Sequence, residues 1–311
     1  MVDSGGDSLD RVFAEDRRFL WNVAYRLTGN AADADDVLQE TFLRAMVHPP
    51  ADTGRSWRPW LLRVALNLGR DLLRRRRRTG YPGAWLPSPV EDGALVWERA
   101  DDAMHPGLRY DLVESASVAF LLALEVLTPM QRAVLLLRDV FDYSARDAAE
   151  ALGVSETNAR KLHSRARLAL ARYDASRRPL TAARQRQTQV ALQRFLDHLA
   201  AGDVRGLESM LAADARAMSD GGGEFASSTV PVVGRSRVAA LFLGLSRKPV
   251  ASQRVQSLMV NGLPAIMVER SVPARVAPRY VLQVDVDDHG LVTDVYVVLG
   301  TRKLSAVPFG R

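Results

Sequence analysis

The residues most able to do chemistry lie between Tyr143 and Leu170, and the chemistry is recognition of DNA. Asp147-Ala148-Ala149-Glu150-Ala151-Leu152 reads as a short helix with small and apolar residues on one face. Gly153-Val154 supplies a turn, since glycine accepts positive φ at little cost. Ser155 then caps a second helix, whose outward side chains include Thr157, Asn158, Lys161, Ser164 and Arg165. Hydroxyl and amide groups near a helix N-terminus can reach base edges, while later cations meet phosphates. Turn, cap and basic face together predict a helix-turn-helix. A second basic element supports it: Arg74 to Arg78 is an unbroken arginine run, preceded by Arg70. Such runs are solvated helix ends or nucleic-acid contacts.

Other chemistries find little footing. The 311-residue chain has no cysteine, which removes disulfides and thiolate metal sites. It holds no phosphate-cradling glycine loop, metal-ligand cluster or nucleophile motif. No catalytic residue, metal site or cofactor is therefore expected. No apolar run is long enough to span a bilayer, and the acidic, glycine-containing start is not a signal peptide. A cytoplasmic protein is expected. The net charge of +6 favours polyanionic partners.

Elements that must position these groups follow from apolar periodicity. Leu9 to Leu27 carries a helical stripe of Val12, Phe13, Leu20, Val23, Ala24 and Leu27. Asp33 to Met46 begins acidic, which suits a helix N-terminus. Arg55 to Arg78 is a third long helix, with Trp60, Leu61, Val64, Leu68 and Leu72 spaced for burial. Gly80 to about Gly107 reads as an extended linker containing Pro82, Pro87, Pro89 and Pro106. Its large apolar groups, Tyr81, Trp85, Leu86 and Trp97, must pack on something. A helix over Leu112–Leu127 and another capped by Thr128 precede the helix-turn-helix. After Ala183 come short helices at Val190–Leu199 and Val204–Leu211. Strand-like runs follow at 255–260, 265–272, 280–286 and 292–299, with Asn261-Gly262 as a hairpin signal. The expected architecture is multidomain: two all-α units and then an α+β domain.

Four ordered motifs resemble regions 2 and 4 of extracytoplasmic-function (ECF) sigma factors. They are Ala31–Phe42, Trp60–Asn67, Leu127–Arg132 and Ala159–Arg167. The tail resembles a SnoaL-like domain, a cone-shaped α+β fold with a central pocket, as in the SigJ-like group. Trp85-Leu86-Pro87-Ser88-Pro89 and Asp220-Gly221-Gly222-Gly223 are similar to that group's motifs. Two departures stand out. Ser88 replaces an acid of the linker motif, and Gly300-Thr301-Arg302-Lys303-Leu304 replaces asparagine-proline-aspartate-lysine-leucine.

The resemblance implies region 2 over 1–79, a linker over 80–111, region 4 over 112–179 and a regulatory domain over 183–311. Asp36, Gln39 and Glu40 would dock on the β′ clamp helices of core RNA polymerase, with the β flap a further contact. Arg55, Trp57, Trp60, Asn67, Arg70 and Arg74 would read the minus-ten element. Trp60 serves core packing equally well. Ser155, Thr157, Asn158, Lys161 and Arg165 would read the minus-thirty-five element. Trp85, Leu86, Pro87 and the Asp220–Gly223 segment would form a regulatory contact. The implied function is a sigma factor that directs promoter recognition and transcription initiation, modulated in cis by its tail. The alternative is a helix-turn-helix regulator with a ligand-sensing SnoaL-like domain, and a small molecule in the tail pocket fits either. A tail enzyme would draw on Asp220, His198, Asp214 and Asp285, which form no recognisable catalytic set.

Overall fold

In a computed structural model the described residues are 6–51, 56–95, 109–247, 252–273 and 276–307. Arg55 and Trp97 lie outside them. The chain divides into two compact units, one of residues 1–80 and 94–177, the other of residues 81–93 and 178–311.

The first unit is helical. α1 (Gly6–Thr28), α2 (Ala31–Val47) and α3 (Arg58–Thr79) pack on one another. Asn30 caps α2 by accepting from the amides of Ala32 and Asp33. Leu20, Val23, Leu27, Val37, Leu61, Leu62 and Leu66 form the core between them. After the short α4 (Asp92–Leu95) come α5 (Val118–Ala123), α6 (Pro129–Asp139), α7 (Ala145–Leu152), α8 (Glu156–Ala169) and α9 (Ala171–Ser176).

The continuous helix expected over Leu112–Leu127 is instead α5 flanked by two 3₁₀ turns, Glu114–Ala116 and Leu124–Val126. Ser117 is the cause. Its backbone is extended and its hydroxyl accepts from the Phe120 amide, so it starts a new helix rather than continuing one. Thr128 and Gln131 make a reciprocal capping box at α6, with Pro129 in the first turn.

The second unit is α+β. It contains α10 (Ala182–Ala201), α11 (Val204–Met210), β1 (Leu211–Asp220), β2 (Val232–Val233), α12 (Arg235–Ser246), β3 (Gln253–Val260), β4 (Leu263–Arg270), β5 (Arg279–Val286) and β6 (Val292–Val298). The strands form one sheet in the order β2-β1-β6-β5-β4-β3. β1 and β6 run parallel and all other pairs antiparallel. Asn261 and Gly262 both have positive φ and close the β3–β4 hairpin in the manner of a type I′ turn.

β1 and α12 are the elements that periodicity did not announce. β1 contains four alanines in ten residues, a helix-favouring composition, yet its ladder to β6 overrides that preference. The sheet buries one face against α10, α11 and α12. Phe195, Leu207, Val238, Phe242, Leu282, Val284 and Val295 fill that core, and the Phe195 and Phe242 rings meet edge-on at 5.3 Å. By strand alternation the other face carries Asp220, Gln283, Asp285, Asp294 and Tyr296.

The second unit starts earlier than expected, at Arg178. Arg178 and Arg184 both engage the Asp285 carboxylate, tying the start of α10 to β5.

Phe195→Ala should destabilise the α+β unit by about 3–5 kcal/mol, because it empties a fully buried aromatic site. Hydrogen exchange of the β5 and β6 amides in the full chain measures this. Protection equal to that of the wild type would contradict the central place given to Phe195.

Candidate functional site

Three surfaces and one internal contact make up the site. The first is the helix-turn-helix. Ser144 caps α7, accepting from the Asp147 amide, and Gly153 ends it in the left-handed region at φ 67°. Ser155 caps α8 by accepting from the Asn158 amide at 3.3 Å. Ala148, Ala149, Leu152, Ala159 and Ala166 are buried, so small side chains let α7 and α8 approach closely. This leaves Ser155, Thr157, Asn158, Lys161 and Arg165 exposed. Thr157, Lys161, Ser164 and Arg165 share an exposed concave strip with Arg160. At the inner side of α8, His163 Nε2 sits 2.8 Å from Asp139 Oδ1 and fastens it to α6.

The second surface is α2. Asp36 and Gln39 are exposed, and Glu40 is half-buried with its Oε1 2.8 Å from Arg44 Nε. One and two turns further on, Leu43, Met46 and Val47 are exposed at 48%, 64% and 69%. α2 is thus acidic at one end and openly apolar at the other.

The third surface is α3, where the structure separates residues the sequence had grouped. Asn67 and Arg74 are exposed, with Arg74 paired to Asp71 at 2.6 Å. Trp57 is buried, and Trp60 is half-buried. Arg70 is buried, and its Nε and Nη1 find no hydrogen-bond partner among the described residues. Burial, and then the neighbouring Arg74 charge, push its pKa down. Arg76 and Arg77 of the arginine run are not free phosphate ligands here. Arg76 binds both oxygens of Glu125, and Arg77 donates to the Leu127 carbonyl.

The internal contact lies wholly within the α+β unit. Residues 81–93 form an extended strap with Leu86, Pro87, Ser88, Pro89 and Val90 all buried. Two prolines suit this burial because they bring no N–H to satisfy. Several of the strap's polar groups meet partners in the tail. Asp220, fully buried at the end of β1, accepts from the Leu86 amide and the Tyr81 hydroxyl, each at 2.7 Å. Lys303 Nζ lies 2.6 Å from Asp220 Oδ2, donates to the Leu86 carbonyl, and sits over the Tyr81 and Trp85 rings at 4.9 and 4.6 Å. Further along, Val90 and Asn261 exchange hydrogen bonds, and Asp92 accepts from the Gly262 amide.

The Asp220–Gly223 segment is thus a built turn, not a loose one. A Cβ on Gly221 would lie 2.1 Å from the Phe225 carbonyl oxygen, and Gly222 turns its amide back onto Asp220 Oδ1. Leu86 meets Asp220, Pro82 lies against Gly223, and Trp85 stands beside Lys303. Tyr81 packs here, as expected of a large linker group, while Lys303 is not among the site residues expected from the sequence. Lys303 was legible only as the lysine surviving in the altered C-terminal motif. Its role needs tertiary folding to bring it beside Asp220.

Comparison with known proteins places this geometry. Residues 12–79 match Sigma-70 region 2 and residues 117–170 match Sigma-70 region 4. Over 252 residues the chain is 36% identical to the ECF RNA polymerase sigma factor SigJ of Mycobacterium tuberculosis, covering 79% of this chain and 76% of that protein. The chain belongs to the ECF RNA polymerase sigma factors. A probable ECF sigma factor, SigI of the same organism, is 27% identical over 86% of this chain and 90% of its own. The crystal structure of M. tuberculosis SigJ superposes with a TM-score of 0.69 at 29% identity, covering 96% of this chain and 99% of that one. The sigma factor binds core RNA polymerase and promoter DNA, as its family does, and directs transcription initiation.

Asp220→Asn and Lys303→Met should each loosen the strap by about 3–5 kcal/mol, since either leaves a buried charge without its partner. The double variant should lose less than the two single losses summed. Hydrogen exchange at the Leu86 amide measures the loosening, and strict additivity would show that the pair does not act as a unit.

Proposed function

We propose that α2 docks on the β′ clamp helices through Asp36, Gln39 and Glu40, that α3 reads the minus-ten element, and that α8 reads the minus-thirty-five element. The exposure of Asp36 and Gln39 beside apolar Leu43 and Met46 supports the first assignment, because carboxylates steer association and apolar groups hold it. Ser155, Thr157, Asn158, Lys161 and Arg165 stand free for the major groove, and Trp60, Asn67 and Arg74 remain accessible on α3. Region 4 would meet the β flap. A cytoplasmic location follows from a polymerase partner.

The α+β tail is a regulator in cis. The observation that carries this reading is the strap: the segment joining regions 2 and 4 belongs structurally to the tail. Any rearrangement of the tail therefore pulls on the tether between the two promoter-reading regions. The tail's candidate acids and bases serve structure instead of catalysis. His198 bonds Asp203, which caps α11. Asp285 is paired with two arginines, Asp220 holds the strap, and Asp214 lies exposed. A regulator without a reaction of its own fits this better than a tail enzyme. A small ligand would act by loosening or tightening the strap.

Promoter-dependent transcription with purified core polymerase tests the reading. Full-length chain should support it, and Asp36→Arg should reduce polymerase binding at least about tenfold through charge reversal. Arg165→Ala should cost about 1–3 kcal/mol at one promoter position if Arg165 meets a guanine. A uniform loss over all promoters would assign it to phosphate. Truncation after Pro179 uncovers the strap and gives the sign of tail control. Equal activity of the two forms would refute regulation in cis.

A further inference from the structure

Regions 2 and 4 pack together inside the helical unit, and a small set of charged groups fastens them. α3 lies against both α6 and α7. Arg63 of α3 donates to the Glu150 carbonyl at the end of α7. Arg70 is seven residues further on, hence on the same side of α3, and it is the buried cation without a hydrogen-bond partner at Nε or Nη1. Region 4 therefore reaches the side of α3 that carries Arg63.

The fastening is at the end of α3. Arg76 grips both carboxylate oxygens of Glu125 at 2.7 and 2.8 Å and also donates to the Thr28 carbonyl at 3.1 Å. Arg77 donates to the Leu127 carbonyl. Arg132 of α6, almost wholly buried, shares Glu125 Oε1 at 2.7 Å and reaches back to the Leu27 carbonyl at 3.1 Å. One carboxylate thus holds an arginine from each region, and each of these arginines also caps a carbonyl at the end of α1. Guanidinium–carboxylate contacts of this kind are charge-assisted and strong.

Phosphate oxygens, like the Glu125 carboxylate, are anionic acceptors that take charge-assisted hydrogen bonds from a guanidinium. We propose that Glu125, Arg76, Arg77 and Arg132 form a latch that keeps regions 2 and 4 closed, and that DNA phosphates open it by competing with the Glu125 carboxylate for Arg76 and with the Leu127 carbonyl for Arg77. The closed form engages two cations of the arginine run, Arg76 and Arg77, with carboxylate and carbonyl oxygens. Opening frees both, and duplex binding and opening therefore favour one another.

The proposal rests on the assignment of regions 2 and 4. Its test measures conformation, so it can fail while the sigma function stands. The chain has no cysteine, so dyes can be placed uniquely at Ala14→Cys in α1 and Ala169→Cys in α8, both exposed. Energy transfer between them in the full-length protein should be high at rest and should fall as duplex DNA of scrambled sequence is added. Glu125→Gln should reach the same fall at a DNA concentration roughly threefold to tenfold lower, because the carboxylate charge no longer competes. Arg76→Met removes the latch from its other side. It should lower the resting transfer efficiency while weakening the response to DNA. Unchanged resting transfer in Arg76→Met together with an unshifted midpoint in Glu125→Gln would overturn the latch. Transfer in the unsubstituted chain that ignores added DNA would overturn the competition.

Discussion

One buried carboxylate organises the tail of this sigma factor. Asp220 takes hydrogen bonds from the Tyr81 hydroxyl, the Leu86 amide and the Gly222 amide, and pairs with Lys303. A charge removed from water is tolerable only when nearly all its lone pairs are occupied. That requirement draws a linker residue, a strand end, a glycine turn and a C-terminal lysine to one point. The strap's apolar residues then complete the burial, and Pro87 and Pro89 lower the number of donors that must be met inside.

The same electrostatic logic recurs in the helical unit with different partners. Arg26 is completely buried and is served by the Ser115 hydroxyl, the Asn22 side chain and the carbonyls of Leu95 and Leu112. Without a carboxylate among these hydrogen-bond partners, burial brings its pKa down to about 9. It ties α1 to chain segments about ninety residues away. Arg132 does the same with Glu125 as counter-charge. Arg26 and Arg132 are cross-links between sequence-distant segments, and each gives the packing a specific registration that apolar contacts alone do not supply.

Regulation and recognition therefore draw on overlapping residues. The arginine run at the end of α3 is basic enough for DNA, yet two of its members are engaged with the segment leading into α6. The linker between the promoter-reading regions is long enough to be a free tether, yet residues 81–93 belong to the tail. In both cases a group placed to act outward has an inward partner.

Much of this was legible in the order of residues. Local signals specify the helix-turn-helix: Ser144 and Ser155 as caps, Gly153 at its left-handed turn, and alanines where α7 and α8 meet. The Asn261-Gly262 hairpin and the acidic start of α2 are equally local, since turn chemistry and helix termini act over a few residues. Other features required the tertiary structure. β1 is alanine-rich and becomes a strand only because β6 is there to pair with it. Ser117 divides a segment whose apolar periodicity is continuous. Lys303 finds its acid 83 positions earlier, and Arg76 finds Glu125 across 49 residues. Local preference is written in neighbouring residues, but the partner of a buried charge is chosen by whichever distant groups the fold brings within reach.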